Sequence, residues 1–238
     1  MAIAGSVSGH PRTLAERAAA VLQEAILSGE LAPGAPLRLE PLARSLEMSP
    51  MPVREAVREL ERLGLAEHVP HRGARVSELS IDDLRDTYEA RLALETLAVR
   101  HAAERFSAED GSVAARRLAE HVQAYRDGDL RRGRELHARF HLGLYQASGS
   151  QWLPRLIRPL WENSERYRIA SLAARGSLER RRREHQRILD ACVAHDPDAA
   201  EAALRAHLIL TANLVARRMG EPELFSADSG YYQEGLAK

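Results

Sequence analysis

From Thr13 to Ser28 the apolar positions fall at Leu14, Ala18, Val21, Leu22, Ala25 and Ile26, the stripe of an amphipathic helix. Gly29 ends it, and Leu31 to Pro36 reads as a turn rich in proline and glycine. A short helix is expected over about 40–46, then a turn at Glu47-Met48. Ser49 is a suitable N-cap. Pro50 follows at the first helical position, where its missing N–H costs nothing, and Pro52 at the third, where the N–H has no intrahelical partner. That helix runs to about Leu63 and stops at Gly64. Leu65 to Val69 and Ala74 to Ser77 read as two short strands around Pro70-His71-Arg72-Gly73. After Glu78 the texture becomes long, amphipathic and helical, with helices expected at about 80–106, 108–126, 129–147, 150–173, 177–195 and 197–219. The breaks are Ser107, Gly128, Ser148-Gly149, Gly176 and Asp196-Pro197. The expected fold is mainly α. Three helices and a small β-hairpin span 12–79, a bundle of six or seven helices spans 80–220, a disordered arm covers 1–11, and a loosely packed tail covers 221–238.

Composition narrows what such a chain does. Of 238 residues 45% are apolar and 29% charged, ordinary for a globular protein with a buried core. Lys+Arg and Asp+Glu each number 34, so the formal net charge is zero. Any grip on nucleic acid must come from a local arrangement of arginine, not from bulk attraction. Aromatic residues, at 5%, are too few for a base-stacking single-strand binder. The single cysteine, Cys192, excludes a disulfide within the chain and points to a reducing compartment, the cytoplasm. Cys192 itself is expected to be a small core residue. No apolar run approaches the length of a membrane span, and no charged segment leads into an apolar one as in a secretion signal.

The order helix, helix, tight turn, helix, hairpin is that of a winged helix-turn-helix, whose second motif helix enters the major groove while the wing touches adjacent backbone. In the helix after Ser49, Val53, Val57 and Leu60 mark a core face, and Arg54, Arg58 and Arg62 continue along an outward one. Arginine pairs bidentately with guanine or clamps phosphate. A charged outer face is also the norm for any solvated helix. Context separates the two readings: the helix is short and starts with Ser and small residues at its tip, where Met51 is a further candidate contact, and the hairpin that follows carries His71, Arg72 and Arg75. From residue 44 to 75 six arginines face five glutamates, so the arginines must be segregated onto one surface. A homodimer would double the contacts on double-stranded operator DNA.

In the helical half the informative residue is histidine. His137 and His141 stand four apart on one expected helix, with His185 and His207 on two others. That is a standard way to build a metal site inside a bundle. The alternative is ordinary core histidines that satisfy buried polar groups. There is no H-E-x-x-H, which disfavours a zinc protease. An effector carboxylate would need buried cations and hydrogen-bond donors. Arg91 and Arg168 are candidates, with Tyr167 and Asn213 beside them, although Arg91 is also placed to pair with Glu95 four residues on. The runs Arg131-Arg132 and Arg180 to Arg183 read as solvated helix ends.

The stretch Pro50-Met51-Pro52-Val53-Arg54-Glu55-Ala56-Val57-Arg58-Glu59-Leu60-Glu61-Arg62-Leu63-Gly64-Leu65, with Pro33-Gly34 before it and Arg72-Gly73-Ala74-Arg75-Val76 after it, resembles the winged helix-turn-helix of GntR-family regulators. The stretches Arg91 to Glu95, His137 to Tyr145, Ala147 to Ser150, Leu156 to Trp161, Glu184 to Ile188 and His207-Leu208 resemble the ligand-binding FCD domain of the FadR-type subgroup. Together the likeness covers about residues 12–219. It implies DNA contacts at Arg44, Arg54, Arg58, Arg72 and Gly73, to which the tip and wing add Ser49, Met51 and His71. Pro50 departs from the pattern, because family members often carry a base-reading arginine there. The resemblance also implies metal ligands at His137, His141, His185 and His207, and His137 stands where an acid or amide is usual. Four neutral imidazoles leave a divalent ion's charge uncancelled, which favours zinc or nickel and an anionic effector. The expected function is a metabolite-responsive repressor released from its operator by a small organic acid bound at that metal, and not an enzyme. Two rivals remain: a metal-dependent hydrolase or isomerase fused to a DNA-binding domain, and a DNA-binding protein whose helical domain only dimerises.

Overall fold

The computed structural model describes residues 13–70, 72–170 and 178–226. The chain divides into two compact units, one of residues 1–83 with 159–172, the other of 84–158 with 173–238.

In the first unit α1 (Leu14–Leu27) is started by a capping box, in which the Thr13 hydroxyl accepts from the Glu16 N–H and the Glu16 carboxylate accepts from the Thr13 N–H. Its stripe Ala18, Val21, Leu22, Ala25 and Ile26 is buried as the periodicity requires. Next come β1 (Pro36–Leu37), α2 (Leu39–Ser45), α3 (Pro50–Arg62), β2 (Ala66–Val69) and β3 (Gly73–Val76). The expected hairpin proves to be a three-stranded antiparallel sheet of order β1-β3-β2, with Leu37 opposite Ala74 and Glu67 opposite Arg75. A two-residue strand beside two prolines carries no periodic signal, so β1 could not be read from the pattern. Leu22, Val53, Leu60, Leu65 and Val76 form the centre of this core.

Two local features shape the presentation of α3. Glu47, in the turn between α2 and α3, has a φ of 54°, the left-handed region where a side chain crowds its own backbone. Ser49 occupies the N-cap position but makes no side-chain capping bond. The reason is Pro52: the third helical residue is a usual donor to an N-cap oxygen, and proline has no N–H to give.

The second unit is helical: α4 (Ile81–Arg105), α5 (Ala108–Arg126), α6 (Leu130–Gln146), the start of α7 (Leu153–Ala170), α8 (Leu178–Val193) and α9 (Pro197–Arg218). Ser107, Asp129 and Asp196 cap α5, α6 and α9. α5 packs on α6 and α8, and α8 packs on α9. The later part of α7, beyond the internal Pro159, belongs to the first unit. There Asn163, Arg166 and Tyr167 hold the segment after β3. Asn163 donates to Asp83 at 3.0 Å, Arg166 donates to the Ser77 carbonyl at 2.9 Å, and the Tyr167 hydroxyl donates to Asp83.

The start of the tail is not loose. The Asn213 amide donates to the Phe225 carbonyl at 2.7 Å, and its oxygen accepts from the N–H groups of Leu224 and Phe225 at 2.9 and 3.1 Å. Phe225 is only 3% exposed. One apolar side chain and one amide pin the segment, a pairing across 12 residues with no periodic signature.

Candidate DNA-reading face and metal centre

Val53, Ala56, Val57 and Leu60 turn one face of α3 into the core, which leaves Met51, Arg54 and Arg58 exposed. Arg44, Ser49, Arg72 and Gly73 are exposed as well. His71 lies outside the described residues. The arginines fall into two groups. Arg62 pairs with Glu59, and Arg75 with Glu67 at 2.6 Å and Glu78 at 3.2 Å. Arg44, Arg54, Arg58 and Arg72 have no carboxylate partner among the described residues. The acids of this nearly neutral stretch thus neutralise particular arginines and leave others unpaired. A groove of about 640 Å³ runs beside α3, and Arg54, Arg58, Arg72 and Gly73 line it.

In the second unit, His137 and His141 on α6, His185 on α8 and His207 on α9 are all buried and converge. One ring nitrogen from each lies within 4.8 Å of the others, and the Nε2 atoms of His137 and His185 are 2.9 Å apart. With metal–nitrogen bonds of about 2.0–2.1 Å, neighbouring donors around one ion sit roughly 3 Å apart, so the cluster is of the right size.

Three of the four rings are oriented from behind through Nδ1. His185 Nδ1 donates to the Arg181 carbonyl at 2.7 Å, and His207 Nδ1 donates to the Glu184 carboxylate at 3.1 Å. The Tyr145 hydroxyl donates to Glu95 at 2.6 Å, so its oxygen is left to accept from His141 Nδ1 at 3.3 Å. In each ring the proton is held on the outer nitrogen and the Nε2 lone pair is left for the centre, the arrangement by which proteins set up imidazole ligands. Burial would raise the Glu184 carboxyl. The hydrogen bond from His207, with the Arg180 and Arg181 charges, outweighs it and holds the group below the usual range. Burial, then the Glu95 charge, pushes the Tyr145 phenol well up, which keeps it a donor.

Arg91 sits in this outer layer. It donates to Glu95 at 2.6 and 3.2 Å, and both side chains are essentially fully buried. Of the two readings open for Arg91, the pair with Glu95 is formed, and it holds the carboxylate that holds Tyr145. Arg168 pairs with Glu165 and stacks over Trp161 at 5.7 Å, and Tyr167 serves the Asp83 clasp. Asn213 is taken up by the tail. The structure therefore brings the four histidines together and sets Arg91 behind them, through Glu95 and Tyr145.

Two residues were missed from sequence. His121 on α5 is buried, with its ring centroid 5.1 Å from that of His137 and 5.8 Å from that of His185. Its Nδ1 donates to the Gly133 carbonyl at 2.9 Å. Gly133 permits the approach, since a Cβ there would lie 2.5 Å from the Tyr125 ring. Tyr145 is the other, and it did carry a signal, because it continues the four-residue spacing of His137 and His141.

Comparison with known proteins agrees with this division of labour. The profile described as bacterial regulatory proteins, gntR family, matches residues 14–76, and that of the FCD domain matches 86–210. A probable D-xylose utilization operon transcriptional repressor of Paenarthrobacter nicotinovorans is 35% identical over 186 residues, covering 77% of this chain and 80% of that protein. The HTH-type transcriptional regulator LutR of Bacillus subtilis is 28% identical over 232 residues, 89% and 99% of the two chains. Among solved structures, Escherichia coli McbR/YncC superposes with a TM-score of 0.77 at 24% identity, covering 88% of this chain and all of the other, a likeness of fold. No helix among the described residues is long and apolar enough to cross a membrane. The chain belongs to the GntR family of bacterial regulatory proteins, with an FCD domain, and is a ligand-responsive DNA-binding transcriptional regulator.

Proposed function

We propose that the protein is a homodimeric repressor whose hold on its operator is set by a small carboxylate bound at a divalent metal in the helical unit. His137, His141, His185 and His207 are the ligands, and zinc or nickel the metal. The observation that carries this is the set of outer partners. Arg181, Glu184 and Tyr145 each hold the Nδ1 of a different histidine, so the Nε2 lone pairs converge without further rearrangement. Imidazole donors suit zinc, nickel or copper better than magnesium or calcium. Four neutral ligands leave the ion's charge intact, and a carboxylate is the group that charge attracts. On the DNA side Arg54 and Met51 read base edges, while Ser49, whose hydroxyl caps nothing, is left for the backbone. Arg44, Arg58, His71, Arg72 and Gly73 complete the reading surface. The known relatives are regulators, so the protein is read as a non-enzyme.

The test takes the protein purified without chelator. It combines elemental analysis, native mass spectrometry, and anisotropy of a duplex selected by the protein from random sequence, read across a panel of small acids. About one metal per chain and weakening of DNA binding by at least one acid support the proposal, with a coupling on the order of 1–3 kcal/mol. Metal-free protein, or operator affinity unmoved by every acid at saturation, refutes it.

A further inference from the structure

The groove beside α3 contains an arginine that neither the family pattern nor the reading above uses. Arg38 stands at the N-cap position of α2, where its side chain makes no capping bond. It is exposed, has no carboxylate partner among the described residues, and lines the groove together with Arg54 and Arg58 of α3 and with Arg72. The path is short and covalently defined. β1 pairs with β3 through Leu37 and Ala74, so Arg38 leaves the sheet directly beside the wing residues Arg72 and Gly73. The groove's floor is apolar, with Leu37, Val57 and Ala74, and its rim is cationic. Glu40 and Glu61 also face it, and His68 stands 3.9 Å from Glu61.

A groove with a cationic rim between the α3 helix and the wing has the chemistry of a polyanion track. Base edges are met at the tip of an inserted helix. A channel flanking that helix meets the strand of phosphates along the groove's edge. We infer that this groove is a clamp for the phosphodiester backbone of duplex DNA, and that Arg38 is one of its phosphate-binding residues, closing the clamp from the α2 side against Arg58 and Arg72. Glu61, on the same wall as Arg58, opposes the phosphates and keeps non-specific binding weak. The inference rests on the DNA-reading face proposed above but assigns Arg38 to affinity and not to sequence choice.

The experiment uses the full chain and two probes: a duplex of about 30 base pairs, long enough for two half-sites, selected from random sequence by the unaltered protein, and a scrambled duplex of the same composition. Affinity is measured across a salt series. Each lost phosphate contact lowers the slope of log K against log salt by about 0.9, or about 1.8 for two bound chains. Arg38→Ala should lower that slope by this amount and weaken both duplexes by the same factor, so their ratio is unchanged. Arg38→Lys, which keeps a point charge, should retain the slope, and Glu61→Gln should strengthen both duplexes. Because Arg38 is exposed, the variants should unfold at the temperature of the unaltered chain. An unchanged slope in Arg38→Ala overturns the inference, as does a loss confined to the selected duplex. Arg54→Ala is the separating control. If it leaves the preference for the selected duplex intact, the base-reading assignment fails while the clamp stands.

Discussion

Replacing Tyr145 by phenylalanine removes one oxygen from the second unit and leaves the ring in place. That oxygen lies between a proposed metal ligand and a buried ion pair: His141 Nδ1 faces it at 3.3 Å, and it donates to Glu95 at 2.6 Å. Glu95 keeps both bonds to Arg91, at 2.6 and 3.2 Å, so no carboxylate is stranded. Loss of one hydrogen bond to a charged group costs about 1.5–3 kcal/mol of stability. The effect on the metal is separate. Without an acceptor behind Nδ1, the His141 proton is no longer fixed on the outer nitrogen, and the ring can turn or carry its proton on Nε2. Loss of such an outer partner typically lowers metal affinity 10- to 100-fold, about 1.4–2.7 kcal/mol. Competition for zinc against a chromogenic chelator reads this directly, and thermal unfolding of the metal-free protein reads the stability cost. Zinc affinity within twofold of the unaltered chain would refute the role given to Tyr145, whatever happens to the unfolding temperature.

Glu184→Gln keeps an acceptor behind His207 but removes its charge, so chelator competition should show weaker zinc binding than in the unaltered chain and stronger binding than in Glu184→Ala. His137→Asp restores the acid implied by the family pattern, and competition between zinc and manganese should move toward manganese. Burial pushes the Cys192 thiol up to about 12, so below that pH it stays protonated, and iodoacetamide at pH 8 should label it only in unfolded protein, as mass spectrometry will show. Glu47→Gly relieves a left-handed residue worth about 1–2 kcal/mol but adds unfolded-chain entropy of about 0.5–1 kcal/mol. The net gain of about 0–1.5 kcal/mol should hold or raise the unfolding midpoint by up to a few degrees, and a fall would show that the turn is not strained.

What the sequence made legible follows from distance along the chain. The stripe of α1, the core face of α3 and the four-residue spacing of His137 and His141 are local periodicities, and each is where the pattern put it. The strand β1 was missed because two residues have no period, and only its pairing with Arg75 and Ala74 makes it a strand. His121 was missed because its place beside His137 depends on how closely α5 approaches α6, which Gly133 decides. Arg91 shows another limit of local reading. Its partner four residues away was visible, but whether the pair faced a ligand cavity or a tyrosine depended on Tyr145, 50 residues on. The bonds of Asn213 were out of sight for the same reason, since its partners lie in a tail with no helical pattern.

The two proposed sites meet one electrostatic problem in a chain of zero net charge by opposite placements of acid. On the DNA-reading face the glutamates stand among the arginines and pair selectively. Glu59 engages Arg62, and Glu67 and Glu78 engage Arg75, so among the described residues Arg44, Arg54, Arg58 and Arg72 are left without a carboxylate partner, and Arg38 shares the groove of the last three. In the helical unit the acids stand one layer back. Glu95 and Glu184 reach the centre through Tyr145 and His207. They therefore fix the imidazoles without donating their own charge to an ion. If either carboxylate bonded the metal directly, the net charge there would fall from about +2 to about +1, and the attraction for an anionic effector would fall with it. Keeping the acids behind the histidines preserves both the orientation of the ligands and the charge that an organic acid would meet.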